Sequence, residues 1–289
     1  MTESGMTESG MTESGMTESR IMTTLRRYGL LTACALQAQL AYRASLVLTL
    51  VASATSLLAQ LYLWRAIYGA DGHAVLAGFR LADMTSYLLF SNLLFLMLDN
   101  RVDHEIAADI MRGDILIHFV RPVSYTVQKF FTSLATVLSN GVLVGLPLCA
   151  LGAVLFGLTM PRGPDVLLFA VSATLALLIG FLLNACVGAL AFVTTNLWGI
   201  QMMKTATVGI LSGYLIPLSF FSPPLRQVAD WLPFQSMIHT PVALLLGKAG
   251  GLGAAAALIG QQLCWVLLLG AVCAALWRQL GKRLDAVGG

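Results

Sequence analysis

The feature that most constrains this chain is a succession of long apolar runs separated by short polar breaks. A helix needs roughly 20 such residues to cross the ~30 Å hydrocarbon core of a bilayer, with every backbone group bonded inside the segment. Runs of that kind cover about residues 45–68, 81–98, 129–158, 166–193, 197–220 and 252–277. The expected fold is therefore all-α: a polytopic membrane protein with six transmembrane helices. Composition closes the soluble alternative. The chain is 57% hydrophobic and 11% charged, with a mean hydropathy of +0.81, whereas soluble domains carry about 25% charged residues. Six crossings with short loops leave no room in 289 residues for an additional soluble catalytic domain.

Residues 1–23 begin with MTESG repeats, polar and of low complexity, and are expected to form a disordered tail. Residues 24–289 are expected to form a single transmembrane domain. No charged n-region, short apolar core and cleavage site of a signal peptide precedes the first run. Between about Thr24 and Arg43, cationic and amide residues alternate with leucines, which suits a helix lying in the headgroup region. Tyr62, Trp64 and Tyr68 form an aromatic belt at the far end of the first span, and Pro147 is expected to kink the third. With six spans, both termini share one side. Placing them inside puts Arg20, Arg26, Arg27, Arg43, Arg101, Arg112, Arg121, Lys129, Lys204, Arg278, Lys282 and Arg283 there, against Arg65, Arg80, Arg162, Arg226 and Lys248 outside. That excess of cations predicts cytoplasmic termini, and a bacterial-type inner membrane is the expected location.

Several chemistries lack their residues. There is no P-loop and no H-E-x-x-H, and Ser212 lacks the G-x-S-x-G setting of a hydrolase nucleophile. Gly209, Ser212 and Gly213 read instead as small residues for close helix packing. His73, His104, His118 and His239 are scattered without metal spacing, and the five cysteines form no C-x-x-C pair. No basic patch interleaved with aromatics points to nucleic acid. The span centres carry essentially no charge, which argues against a proton or sodium antiporter, since buried acids mark ion pathways. Asn92, Asn140, Asn184, Gln261 and Gln262 are the embedded amides; they could line a substrate path or bond helix to helix.

Two segments carry more information. In the polar stretch from Asp99 to Gln128, Val102, Ile106, Ala107 and Ile110 recur at helical spacing among Asp103, Glu105, Asp109 and Arg112. Gly113 is placed to stop that helix, and a second short apolar helix is expected to run up to Val120. The first helix would offer a cytoplasmic partner an apolar face rimmed by charge. The second segment follows the fifth run. The chain breaks at Pro223 and Pro224, and Leu225, Val228, Ala229 and Leu232 repeat as one helical face before a further apolar piece after Phe234. Both pieces are too short to cross, so re-entrant helices in the outer leaflet are expected, with an amphipathic surface loop as the alternative.

The run from Ala107 to Leu116 (AADIMRGDIL), followed by Arg121 to Tyr125 (RPVSY), resembles the signature of ATP-binding-cassette (ABC) type-2 permeases, the six-span exporter class. Leu63 to Gly69 (LWRAIYG) is similar to that family too, as is Ser212 to Pro223 (SGYLIPLSFFSP) with Leu232, Pro233, Phe234, Pro241, Leu246 and Gly247. The likeness runs from about Arg26 to Arg283; Phe119 and Val120 depart mildly from the usual leucine-rich pair before Arg-Pro. The resemblance implies a non-catalytic permease that pairs with a second permease, the same chain or a related one, within membrane lipid. It also implies separate nucleotide-binding ATPase subunits that carry the ATP and Mg, with no cofactor bound by this chain. Asp103, Glu105, Asp109, Arg112, Gly113 and Arg121 would then couple to the ATPase. Pro217, Pro223, Leu232, Pro233, Phe234, Pro241 and Gly247 would shape the outer gate, and Asn92, Asn140 and Asn184 are candidates to line the path. The alternative is an ion-coupled secondary transporter or channel, which would need no ATPase; an intramembrane lipid enzyme lacks its clustered Asp, His and Ser.

Overall fold

Long apolar helices, packed through glycine and amide contacts, make up the protein. The computed structural model describes residues 29–30, 32–38, 40–41, 43–69, 75–115, 125–156, 163–194 and 196–285. Among them there is no strand, only an isolated bridge between Leu76 and Phe79. Arg121, the expected short helix up to Val120 and the low-complexity tail lie outside the described residues.

In chain order the helices are α1 (Arg43–Tyr68), α2 (Leu81–Leu98), α3 (Val102–Arg112), α4 (Tyr125–Ser139), α5 (Leu146–Phe156), α6 (Gly163–Ala189), α7 (Trp198–Leu211), α8 (Pro223–Trp231), α9 (His239–Leu245) and α10 (Leu252–Asp285). Among the described residues, five helical stretches are long and apolar enough to cross a membrane: Arg43–Tyr68, Leu81–Arg112, Tyr125–Leu155, Gly163–Phe192 and Leu252–Gln279. Residues 32–38, within the expected interfacial segment, are helical, and Thr32 Oγ1 donates to the Phe131 carbonyl at 3.0 Å.

The fifth expected span departs from its predicted form. Its helix, α7, has 14 residues and stops at Leu211 rather than Phe220. Ser212 N–H still bonds back to the Val208 carbonyl, but Gly213 adopts φ +82, the left-handed region that favours glycine. A Cβ there would lie 2.7 Å from Leu218 and 2.8 Å from the Tyr87 hydroxyl, so close packing also requires glycine. The broken segment nevertheless runs the length of the bundle. Leu197 packs with Ala107 and Ala191 at the α3 end, and Phe220 packs on Trp64 and Phe79 at the other. Within its non-helical part Ser212, Gly213 and Pro217 are buried, while Leu215 and Ile216 are exposed.

The third span has an irregular turn beside Pro147. Pro147 can donate no backbone hydrogen bond, and its ring crowds the carbonyl four residues back. The chain accommodates it by widening into a π-helix over Asn140–Gly145, with Leu146 N–H reaching back to the Gly141 carbonyl. The helix therefore continues instead of breaking.

Lipid supplies no hydrophobic drive for helices to associate, so close van der Waals approach has to do it. The α2 contact with the third span shows how. A Cβ on Gly145 would collide with Leu93 Cδ1, and one on Gly152 would collide with the Leu89 side chain. The largest buried cluster gathers Leu57, Leu61 and Trp64 of α1, Tyr87, Leu88 and Leu89 of α2, Ile179 of α6 and Ile238 and Val242 beside and within α9.

Candidate functional site

Helix α3 begins where α2 ends. Asp99 closes α2 with its N–H on the Phe95 carbonyl, and Arg101 turns the chain at φ +51. Asn100 Oδ1 accepts from the first backbone N–H of α3, at Val102, 3.4 Å away. At the far end Gly113 takes φ +79 and its N–H bonds the Ile110 carbonyl, so it terminates α3 as the sequence predicts.

The helix is amphipathic, but its faces are used differently from the expectation. Val102, Ile106 and Ala107 are buried against this chain's own helices, chiefly α6. Gly188 of α6 makes room: a Cβ there would lie 2.8 Å from Ile106 Cβ and 3.1 Å from the Asp103 carbonyl oxygen. The apolar face is thus already covered and is not on offer to a partner. What faces outward is Arg101, His104, Glu105, Met111 and Arg112, a charged surface around one thioether.

The acids of α3 divide into two sets. Asp103 is completely buried, and its Oδ2 accepts from Lys204 Nζ of α7 at 2.7 Å. The same ammonium donates to Asn184 Oδ1 of α6 at 2.8 Å, and Asn184 Nδ2 donates to Asn100 Oδ1 at 2.9 Å. One network thereby ties the α2–α3 junction, α3, α6 and α7. Asp103 Oδ1 has no hydrogen-bond partner. A cavity of about 30 Å³ adjoins the network, with Lys204, Asn184 and Asp99 among its walls. The second set faces α4. Lys129 Nζ lies 3.1 Å from Glu105 Oε2 and 2.9 Å from Asp109 Oδ2, and the Tyr125 hydroxyl donates to Asp109 at 2.7 Å. Trp277 of α10 packs on Tyr125, so the last helix ends beside this platform.

Sequence reasoning passed over Lys204, Lys129, Tyr125 and Asn100 as site residues. The signal for Lys204 was present: a lysine in an apolar segment needs a carboxylate. The missing information was that the carboxylate arrives from a helix about a hundred residues earlier.

The embedded amides bond helix to helix. Asn92 Nδ2 donates to Gln60 Oε1 at 3.2 Å, and Tyr214, stacked on Phe95 with centroids 4.0 Å apart, donates to Asn92 Oδ1 at 3.1 Å. Asn140 Nδ2 donates to the Leu96 carbonyl at 3.1 Å. Gln262 Nε2 reaches the Ser172 and Ser236 carbonyls, and Ser172 Oγ donates to Gln262 Oε1 at 2.9 Å.

At the opposite end, the expected short helices are α8 and α9. Pro217 precedes a 3-10 turn at Leu218–Phe220, Pro223 opens α8, and Leu232 is held extended ahead of Pro233. Phe234 precedes a 3-10 turn at Gln235–Met237, Pro241 lies buried in α9, and Gly247 ends it at φ +66. The two helices differ. In α9, Thr240 to Leu245 are all buried, while α8 buries only Ala229 and leaves Leu225, Val228 and Trp231 exposed, Trp231 at 81%. Burial raises the Asp230 carboxyl above its usual range, and Arg226 pulls it partly back. Lys248 holds this end to α2, 2.9 Å from Asp83 Oδ2 and donating to the Gly78 carbonyl at 2.8 Å.

The comparisons with known proteins agree with this architecture. A family model described as ABC-2 family transporter protein matches residues 54–288, while no curated protein matches the chain. Members of that family are the membrane components of ABC transporters, generally non-catalytic and generally paired with ATPase subunits. With its apolar helices and a match over most of its length, the chain belongs to the ABC-2 transporter family and is a multi-pass, all-α permease.

Proposed function

We propose that this permease is the membrane subunit of an ATP-driven exporter. Two permeases, two copies of this chain or this chain with a relative, would form the path, and a separate pair of ATPase subunits would bind ATP and Mg. Helix α3 receives the ATPase movement. The observation that carries this reading is its construction: a short helix locked by its apolar face to α6, with its charged face outward at the end where α2, α4, α7 and α10 converge. Such an element has little give of its own, so a push on it moves the spans.

Residues 24–289 act as one permease domain. The broken 197–220 segment counts as a sixth crossing, because its two ends meet opposite ends of the bundle. Both termini are cytoplasmic, in a bacterial-type inner membrane, as the cation distribution favours. The segments α8 and α9 form the outer gate. Cytoplasmic Glu105, Asp109, Arg112, Gly113 and Arg121 serve coupling, whereas Asp103 works from inside the protein.

The test is reconstitution with the cognate ATPase. Gly113→Pro removes the left-handed cap of α3, and Glu105→Arg reverses a charge on its outer face; both are expected to abolish most transport-coupled ATP hydrolysis. Intact coupled hydrolysis in both variants would show that α3 is not the coupling element. Transport by the unaccompanied chain, driven by an ion gradient, would favour the secondary-transporter reading instead.

A further inference from the structure

The geometry points to the buried Asp103–Lys204 pair as the joint that carries movement of α3 into the broken helix α7; this deepens the permease reading and rests on it. Four observations support it. First, α3 packs on α6 and on the turn at Leu190–Phe192, while the backbones of α3 and α7 hardly approach one another. The long Lys204 side chain spans that gap, and its 2.7 Å contact is the strong link between the two helices. Second, the acid is completely buried, unlike the acids of the other ion pairs among the described residues. A charge contact whose acid is wholly removed from solvent resists being pulled apart more than one at an exposed surface does. Third, Asn184 fixes the ammonium from the side and is itself tied to Asn100 at the start of α3. Fourth, the pair is not built for stability alone. Asp103 Oδ1 is buried with no partner, and an apolar pair of similar volume is often no less stable than a buried ion pair. Lys204 is thus a positioning residue: it holds α7 to α3, and α7 leads directly to the break at Ser212 and Gly213.

The test uses the full complex of this chain with its ATPase in liposomes, reading complex stoichiometry, thermal midpoint, ATP hydrolysis and transport. Lys204→Met is expected to keep assembly and basal hydrolysis within about twofold while transport per ATP falls about tenfold, the scale of an ordinary coupling free energy. The deciding variant is the double change Asp103→Leu with Lys204→Met, which leaves no buried charge unpaired. The midpoint should return to the wild-type range while transport stays low. If transport returns together with stability, the pair is ordinary packing and the joint is refuted; so is it if Lys204→Met transports normally. Should these variants fail to assemble, spin labels at the exposed Met111 and Met203 positions of the otherwise unchanged pair decide the matter. Their separation should not change on ATP binding, while that from Met203 to Val47 of α1 does; a changed Met111–Met203 separation overturns the joint. A wild-type chain that neither binds an ATPase nor responds to ATP would instead refute the permease reading beneath it.

Discussion

The two ends of this bundle are joined by different forces. At the α3 end, helices distant in sequence are tied by charges: Asp103 to Lys204, and Glu105 and Asp109 to Lys129. At the α8–α9 end one ion pair, Lys248 with Asp83, is joined by ties that are mostly backbone and ring contacts. The Tyr87 hydroxyl donates to the Gly213 carbonyl at 2.8 Å and lies 3.1 Å from His239 Nδ1, His239 N–H bonds the Ser212 carbonyl, and Phe79, Phe220 and Trp64 pack together. A charge contact acts over a distance and survives small displacements, so it suits a part that must move as a unit. Backbone bonds and ring packing tolerate little displacement and then give way together, which suits a closure that is either made or open. The contrast is what the proposed driven end and gated end would require.

The sharpest way to break this contrast is Asp103→Ala, which strands the Lys204 ammonium without its acid. Removing one partner of a buried pair costs about 3–5 kcal/mol, so a large fall in the thermal midpoint in detergent is expected. A negligible shift would mean that water already reaches the pair. Next comes Gly188→Ala. The new methyl meets Ile106 Cβ and the Asp103 carbonyl, neither the tip of a flexible side chain, so α3 must shift from α6 at a cost of about 1–3 kcal/mol. Faster amide exchange across α3 is the readout. Gly145→Ala sharpens the point, because its methyl clashes with the flexible end of Leu93 and meets the Asn140 carbonyl oxygen only at an ordinary 3.4 Å; the smaller loss should leave α3 exchange unchanged. At the other end, Tyr87→Phe removes the hydroxyl that bonds Gly213, a loss of about 1 kcal/mol, visible as faster exchange at 212–218 with α3 undisturbed. The smallest effect belongs to Glu105→Gln. Glu105 is exposed and Lys129 keeps Asp109, so stability should change by no more than about 0.5 kcal/mol.

How far the sequence could be read depends on whether each determinant is local. The apolar runs, the Gly113 stop, and the short helices marked by Pro223, Pro233 and Gly247 follow from spacing and φ preferences, and each appears close to where the residues predict. The fifth helix ends earlier than its apolar run suggests, although the run is interrupted by Ser212, Gly213 and Pro217, which are local break signals. The close approach of Gly213 to Tyr87 and Leu218 shows why the helix must stop there. At Pro147 the sequence marks the place of an irregularity but not its form, which is a π-helix over Asn140–Gly145. The face of α3 was misjudged for a similar reason. Its periodicity reveals an apolar stripe but not what covers it, and Gly188, some 80 residues later, decides that. The Asp103–Lys204 pair lies furthest from local reading, because nothing near either residue names the other.

The account rests on a division between a chain that forms the passage and a separate subunit that supplies the energy. Its most direct test is solute flux from proteoliposomes holding the purified chain alone, or the chain with its ATPase, each with and without ATP. Flux that requires both the ATPase and ATP is the predicted result. Full-rate flux from the chain by itself, with no nucleotide present, would contradict it.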